Sequence, residues 1–201
     1  MPNTSHITGL RPIEQPYGTV KNHWYEAATG VAFFIHQPVD IDANGRITVA
    51  LTGTASNSAF IAGSIVNLAD DASGPPSDSF SGYIPANPAS VNSAGLVRIC
   101  VADDPSQLFV IEEDTGGSAL DAQSVGAGAV ITYTATTGNT TSGVSNAVID
   151  RSTVATTTDL TLRLIKKWDK PDNAYGNYCK WIVAINRHRL SPQAIAGGNL
   201  I

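Results

Sequence analysis

The residues of this chain whose types could do chemistry are four histidines (His6, His23, His36, His188), two cysteines (Cys100, Cys179) and three acidic runs. Those runs are Asp70-Asp71, Asp103-Asp104 and Glu112-Glu113-Asp114. Two carboxyls facing each other across a cleft would serve glycoside hydrolysis, one as acid and the other as base or nucleophile. Adjacent carboxylates on a strand point to opposite faces, so no run makes such a pair alone. Solvated loop charge is their expected role. Calcium would need a cage of oxygens, and no EF-hand pattern is present. No two histidines stand at i, i+4 or at tight strand spacing, and no Cys-x-x-Cys or Cys/His spacing offers a zinc site. Neither a metal nor another cofactor is expected. A nucleophilic serine elbow is approached at Gly143-Val144-Ser145-Asn146-Ala147, which lacks the closing glycine and a following helix. Gly126-x-Gly128 has Ile131 where a dinucleotide fingerprint places its third glycine. No catalytic residue is therefore named, and the chain reads as a non-enzyme. The cysteines lie in alternating apolar segments and are expected as buried reduced thiols rather than a disulfide.

Binding chemistry is better represented than catalysis. Arg163, Lys166, Lys167 and Lys170 surround Trp168, and Arg187-His188-Arg189 follows the apolar segment of Trp181. His23-Trp24-Tyr25 clusters aromatics near the N-terminus, and Phe80 and Tyr83 sit in a Gly/Pro/Ser-rich stretch. The chain carries 12 Lys+Arg against 17 Asp+Glu, a formal charge of −5. Residues 1–150 hold 4 basic and 14 acidic side chains (−10), and 151–201 hold 8 basic and 3 acidic (+5). A nucleic-acid-binding domain is usually basic as a whole, so no direct nucleic-acid partner is expected. The basic quarter instead suits an acidic protein surface, where complementary charge sets orientation and association rate. Trp24, Tyr25, Phe80, Tyr83, Trp168, Arg187, His188 and Arg189 are the candidate protein-interface residues. Arg187 and Arg189 are expected at the rim of the body, with internal pairing to Asp103 or Asp104 as the competing reading. Trp24, Tyr83, Trp168 and Tyr175 would alternatively suit a carbohydrate, as in a tail or receptor-binding component.

The elements that position these groups read as strands. Helix formers are scarce, while Thr and Ser number 36 and 18 Gly and 11 Pro interrupt the chain. Ile47, Val49 and Leu51 share one face of an alternating segment, as do Val97, Ile99 and Val101, and Leu160, Leu162 and Leu164. Around Trp181, Val183 and Ile185 the intervening residues are apolar too, which predicts a strand covered on both faces. Further strands are expected near 60–68, 107–112, 129–135 and 146–150. Asn44-Gly45, between 31–35 and 46–51, favours the positive φ angles of a tight hairpin. Eight or nine such segments predict an all-β fold, an antiparallel β-barrel, β-tulip or sandwich. Residues 1–28, with Pro2, Pro12 and Pro16, read as an extended N-terminal arm. Residues 29–190 form the body with a long loop at 70–95, and 191–201 a tail. No run approaches ~18 consecutive apolar residues, so no membrane helix is expected. The first thirty residues hold no apolar block of a secretion signal.

In order and texture the chain resembles the capsid decoration, or cement, proteins of tailed bacteriophages. The segments that carry the likeness are FFIHQPVDIDANGRI (33–47), VRICVADDPSQLFVIEED (97–114), TTGNTTSGVSNAVID (136–150) and LTLRLIKKWDKPDNAYGNYCKWIVAINRHRL (160–190). The resemblance spans about residues 30–190 and implies no catalytic residue. It implies a β-barrel or β-tulip on the outer surface of the phage head, assembled in the host cytoplasm and bound to the major capsid protein. It also implies self-association, a homotrimer at local threefold axes first and a dimer second. A small β-barrel glycosidase is the remaining alternative from a different class.

Overall fold

Val, Ile and Thr are stiff at χ1 and pack well on a pleated surface, and here they dominate the paired segments. The computed structural model describes residues 3–13, 20–50, 60–69, 82–86, 97–156 and 160–191. Among them are β1 (Arg11–Pro12), β2 (Asn22–Glu26), β3 (Phe33–Phe34), β4 (Pro38–Ile41), β5 (Ile47–Val49), β6 (Gly63–Ala69) and β7 (Tyr83–Ile84). The second half adds β8 (Arg98–Ala102), β9 (Leu108–Glu112), β10 (Gly128–Gly138), β11 (Ser145–Ala155), β12 (Leu162–Lys167) and β13 (Lys180–Ile185). The described residues contain no α-helix, only a 3-10 turn at Ala122–Ser124. The fold is all-β, as the alternation predicts.

Six strands form an antiparallel sheet in the order β1-β9-β13-β12-β10-β11. It curls until the end of β9 meets β11, where the Asp114 amide donates to the Ile149 carbonyl at 2.9 Å. The alternate residues Phe109 and Ile111, Leu162 and Leu164, and Trp181 and Val183 share the core inside this curl. On the other face of β13 Ile182 is also buried, so that strand is covered on both sides. A five-stranded sheet, β2-β8-β6-β4-β5, bends back in the same manner, with the Ala28 amide donating to the Ile47 carbonyl at 2.8 Å. Val39, Ile47, Ile65, Ile99 and Val101 fill it. Curling lets each sheet bury one face without a second layer and shortens the exposed edges that would otherwise invite foreign strands. Ala102 of the second sheet and Ile61, just before β6, belong to the first core and join the two.

Three segments differ from the sequence reading. The hairpin at Asn44-Gly45 pairs β5 with β4, not with residues 31–35. Asp42 decides this: its Oδ1 accepts from the Asn44 and Arg46 amides at 2.8 and 2.9 Å, closing a turn in which Gly45 takes φ +76°. Phe33–Phe34 instead pairs with β7, and the rings of Phe34 and Tyr83 stack at 5.4 Å. The segment 1–28 is extended as expected, but its described residues lie on the body. β1 pairs with β9, β2 pairs with β8, and Leu10 is wholly buried in the first core. Proline at β1 is tolerated because that strand is an edge. Of the long loop only 82–86 is described, and of the tail only Ser191.

Candidate interaction surfaces

Alternation along β2 separates its two aromatics. Trp24 sits opposite Cys100 and remains 39% exposed, whereas Tyr25 packs against the second core and its hydroxyl donates to the Asp103 carboxylate. His23 Nδ1 lies 2.8 Å from Asp103 Oδ1. Asp103 is itself buried, and burial together with this carboxylate raises the Tyr25 hydroxyl well above its ordinary pKa. Tyr25 is thus engaged within the fold, and Trp24 faces outward.

The Arg187-His188-Arg189 run follows β13, with both arginines half-buried and His188 buried. Arg189 forks onto Asp40 of β4, its Nε donating to Oδ1 at 2.8 Å and its Nη2 to Oδ2. The partner is Asp40 rather than Asp103 or Asp104. Arg187 and Arg189 place their guanidinium carbons 4.9 and 4.7 Å from the centroid of Phe60. His188 is buried between them and accepts from the Leu190 amide through Nδ1 at 3.1 Å. Burial lowers its pKa and favours the neutral ring. Phe80 and the doublet Asp70-Asp71 lie outside the described residues.

Among the described acidic runs, Asp103, Glu112 and Glu113 are buried rather than solvated loop charge, whereas Asp104 lies in the turn between β8 and β9 and is partly exposed. Glu112 and Glu113 sit at the end of β9 and point to opposite faces, as strand geometry requires. Glu112 turns to the N-terminal segment and accepts from the Ser5 hydroxyl and the His6 amide, both at 2.9 Å. Glu113 enters the first core, where it accepts from Trp181 Nε1 at 2.8 Å and Arg151 Nη1 at 3.2 Å. Arg151 also donates to the carbonyls of Gly116 and Gly117 and to Asn177 Oδ1. Burial pushes the Glu113 carboxyl up to about 7 even though Trp181 and Arg151 oppose it. Asp104 is held down to about 2 by the Ser106 hydroxyl and amide, with Lys21 adding to the effect. Both cysteines are free and buried, and burial lifts the thiols to about 11 at Cys100 and about 12 at Cys179.

Trp168 opens into a cleft of about 690 Å³ between residues 3–6 and the 168–180 segment. Arg11 and Lys170 each hold their charge 5.2 Å from its ring centroid, and Lys167 lies 5.8 Å from that of Tyr175. Two asparagines shape the cleft wall. Asn173 donates to the Trp168 and Lys180 carbonyls at 2.7 and 2.8 Å and accepts from the Lys180 amide at 2.8 Å. Asn3 donates to the Ala174 and Asn177 carbonyls at 2.7 and 3.0 Å and accepts from the Ala174 amide. Held in this way, Tyr178 adopts φ +63°, a left-handed backbone unusual for a bulky side chain. Sequence reasoning found Trp168 but missed Asn3, Asn173 and Tyr178. Their roles depend on contacts across more than 170 positions for Asn3, and no local pattern signals them.

No family model matches this chain, and neither a curated protein nor a solved structure matches it.

Proposed function

We propose that this chain is a structural virion protein, a cement that binds the outside of an assembled phage head and stabilises contacts between capsomers. One observation carries the reading: the described carboxylates that sequence offered for acid–base work are engaged as internal braces. Asp103 holds His23 and Tyr25, Asp104 holds Ser106, Glu112 holds the N-terminal segment, and Glu113 holds Arg151 and Trp181. What the surface offers instead is adhesive. Trp24 and Tyr175 are among the exposed large side chains, at 39% and 46%, and cations stand beside Trp168 and Tyr175. Trp, Tyr and Arg dominate the binding energy of protein interfaces. The partner in this reading is the major capsid protein, and the free protein is a homotrimer, with a dimer as the alternative.

A protein that binds only the assembled lattice stabilises it by its binding free energy, and many copies multiply modest contacts. The test is to count copies of the chain per purified particle, locate them, and rebind the protein to stripped shells. Many copies over the shell are expected. Trp24→Ala should lower shell affinity by about tenfold or more while leaving the melt of the free protein unchanged. A few copies confined to the tail would assign the chain to a receptor-binding component instead, and no copies on the particle would end the virion reading.

A further inference from the structure

We propose that the cleft between residues 3–6 and the 168–180 segment is a saccharide-binding site, built for a short oligosaccharide whose sugars carry carboxylates. This inference does not depend on the capsid reading, because it concerns the isolated protein.

The lining is the first argument. The cleft brings together Trp168, Tyr178, Thr4, Ser5, Asp172 and the cation Lys180 within about 690 Å³. That volume lies within the range typical of small-molecule sites, about 300–1,000 Å³. A pyranose presents an apolar C–H face and a ring of hydroxyls. The first suits the aromatic residues of the lining, Trp168, over whose ring Arg11 and Lys170 already stand, and Tyr178. The second suits Thr4, which can donate and accept, and Ser5, whose hydroxyl already donates to Glu112 and is left to accept. Lys180 lines the cleft, and Arg11 and Lys170 stand against Trp168. Asp172 on the lining and Glu112, which accepts from Ser5 and His6 and stands opposite Lys180 across the sheet, are the opposing charges, two against the three cations. The balance favours an acidic sugar over a neutral one, with Lys180 as the group that meets its carboxylate.

The backbone is the second, independent argument. Tyr178 at φ +63° holds a left-handed backbone that is strained for a bulky side chain. Such strain persists only where surroundings over-determine it, and such residues gather at ligand sites. Here the side chains of Asn3 and Asn173 clamp the segment on both sides of the strained residue. A wall held rigid before the ligand arrives lowers the ordering cost of binding.

The experiment titrates the full-length protein with trigalacturonate and with the neutral maltotriose, following tryptophan fluorescence and calorimetry. Inorganic phosphate and poly-glutamate serve as competitors. Trigalacturonate should bind with an affinity in the millimolar range or tighter, and better than maltotriose. Trp168→Ala and Lys180→Gln should each weaken it about tenfold. Tyr178→Gly accepts the left-handed backbone, so it should keep or raise the melting temperature while losing the same affinity. That variant keeps the test decisive if Trp168→Ala fails to fold. Absence of binding by either trisaccharide overturns the proposal, as does binding that Tyr178→Gly leaves intact. Equal binding of the two sugars removes the acid preference. Full competition by phosphate and poly-glutamate reassigns the cleft to anions in general. None of these outcomes bears on shell occupancy, which is measured separately.

Discussion

Glu113 and Arg151 show how a single buried pair sets the pH response of the molecule. Glu113 has no exposed surface, and its carboxyl is raised from 4.5 to about 7. A carboxyl whose folded pKa lies above its unfolded value stabilises the fold fully below the unfolded value. That contribution fades as pH rises through the folded one. His36 and His188, both lowered by burial, act in the opposite sense: their contribution is present above the ordinary histidine value and lost as pH falls. Because the two effects overlap, the informative quantity is the difference between wild type and Glu113→Gln. It should shift towards the variant, by of the order of 2 kcal/mol, as pH rises from about 5 to about 7.5. Chemical denaturation across that window measures it. Parallel curves for the two proteins would mean that Glu113 stays ionised throughout and that Arg151 wins over burial.

At the scale of elements, the N-terminal segment changes character between sequence and structure. Three prolines and little alternation read as an arm reaching away from the body. Yet Leu10 is buried, its amide donates to the His36 carbonyl at 2.8 Å, and its carbonyl accepts from the buried Ser64 hydroxyl. Gln107 reaches the Ile13 carbonyl at 2.6 Å, fastening the same segment to the start of β9. Removing this stretch therefore strips an edge from one sheet and a side chain from the shared core. Leu10→Ala should cost about 2–5 kcal/mol in denaturant melts, the range for a large-to-small change in a packed core. A loss below ~0.5 kcal/mol, the size typical of surface changes, would show that the segment contributes little to the fold and is free to act as an arm.

Among the described residues two curled sheets dominate the molecule beside the short β3-β7 pair, and whether they unfold together depends on what they share. Leu10, Ile61 and Ala102 belong to the core inside the six-stranded sheet although Ala102 lies on β8 of the other. The Ile61 amide donates to the Arg187 carbonyl, and Arg189 beyond β13 forks onto Asp40 of β4. With side chains and backbone crossing between them, the sheets should melt in one cooperative transition. The calorimetric and van't Hoff enthalpies should then agree. Two resolved transitions would mean that each curl is stable alone and that the shared contacts are weak.

Much of this architecture was legible in the sequence, because strand formation is a local matter. Leu162 and Leu164, or Ile99 and Val101, share a face wherever the backbone is extended, so their alternation announced strands and a buried side before any partner was known. The free thiols and the opposed directions of Glu112 and Glu113 follow from the same periodicity. Pairing is different. Phe33–Phe34 was expected in the Asn44-Gly45 hairpin, but the Asp42 turn closes on a nearer strand and leaves it to β7, some fifty residues away. The acidic runs looked like solvated charge, and only the closing of the six-stranded sheet brings Arg151 and Trp181 onto Glu113. The cleft likewise exists because Asn3 meets Ala174 and Asn177. Periodicity along the chain determined which residues are inside. Which of them touch was decided by sheet closure, since contacts between distant segments depend on curvature and register that no short stretch encodes.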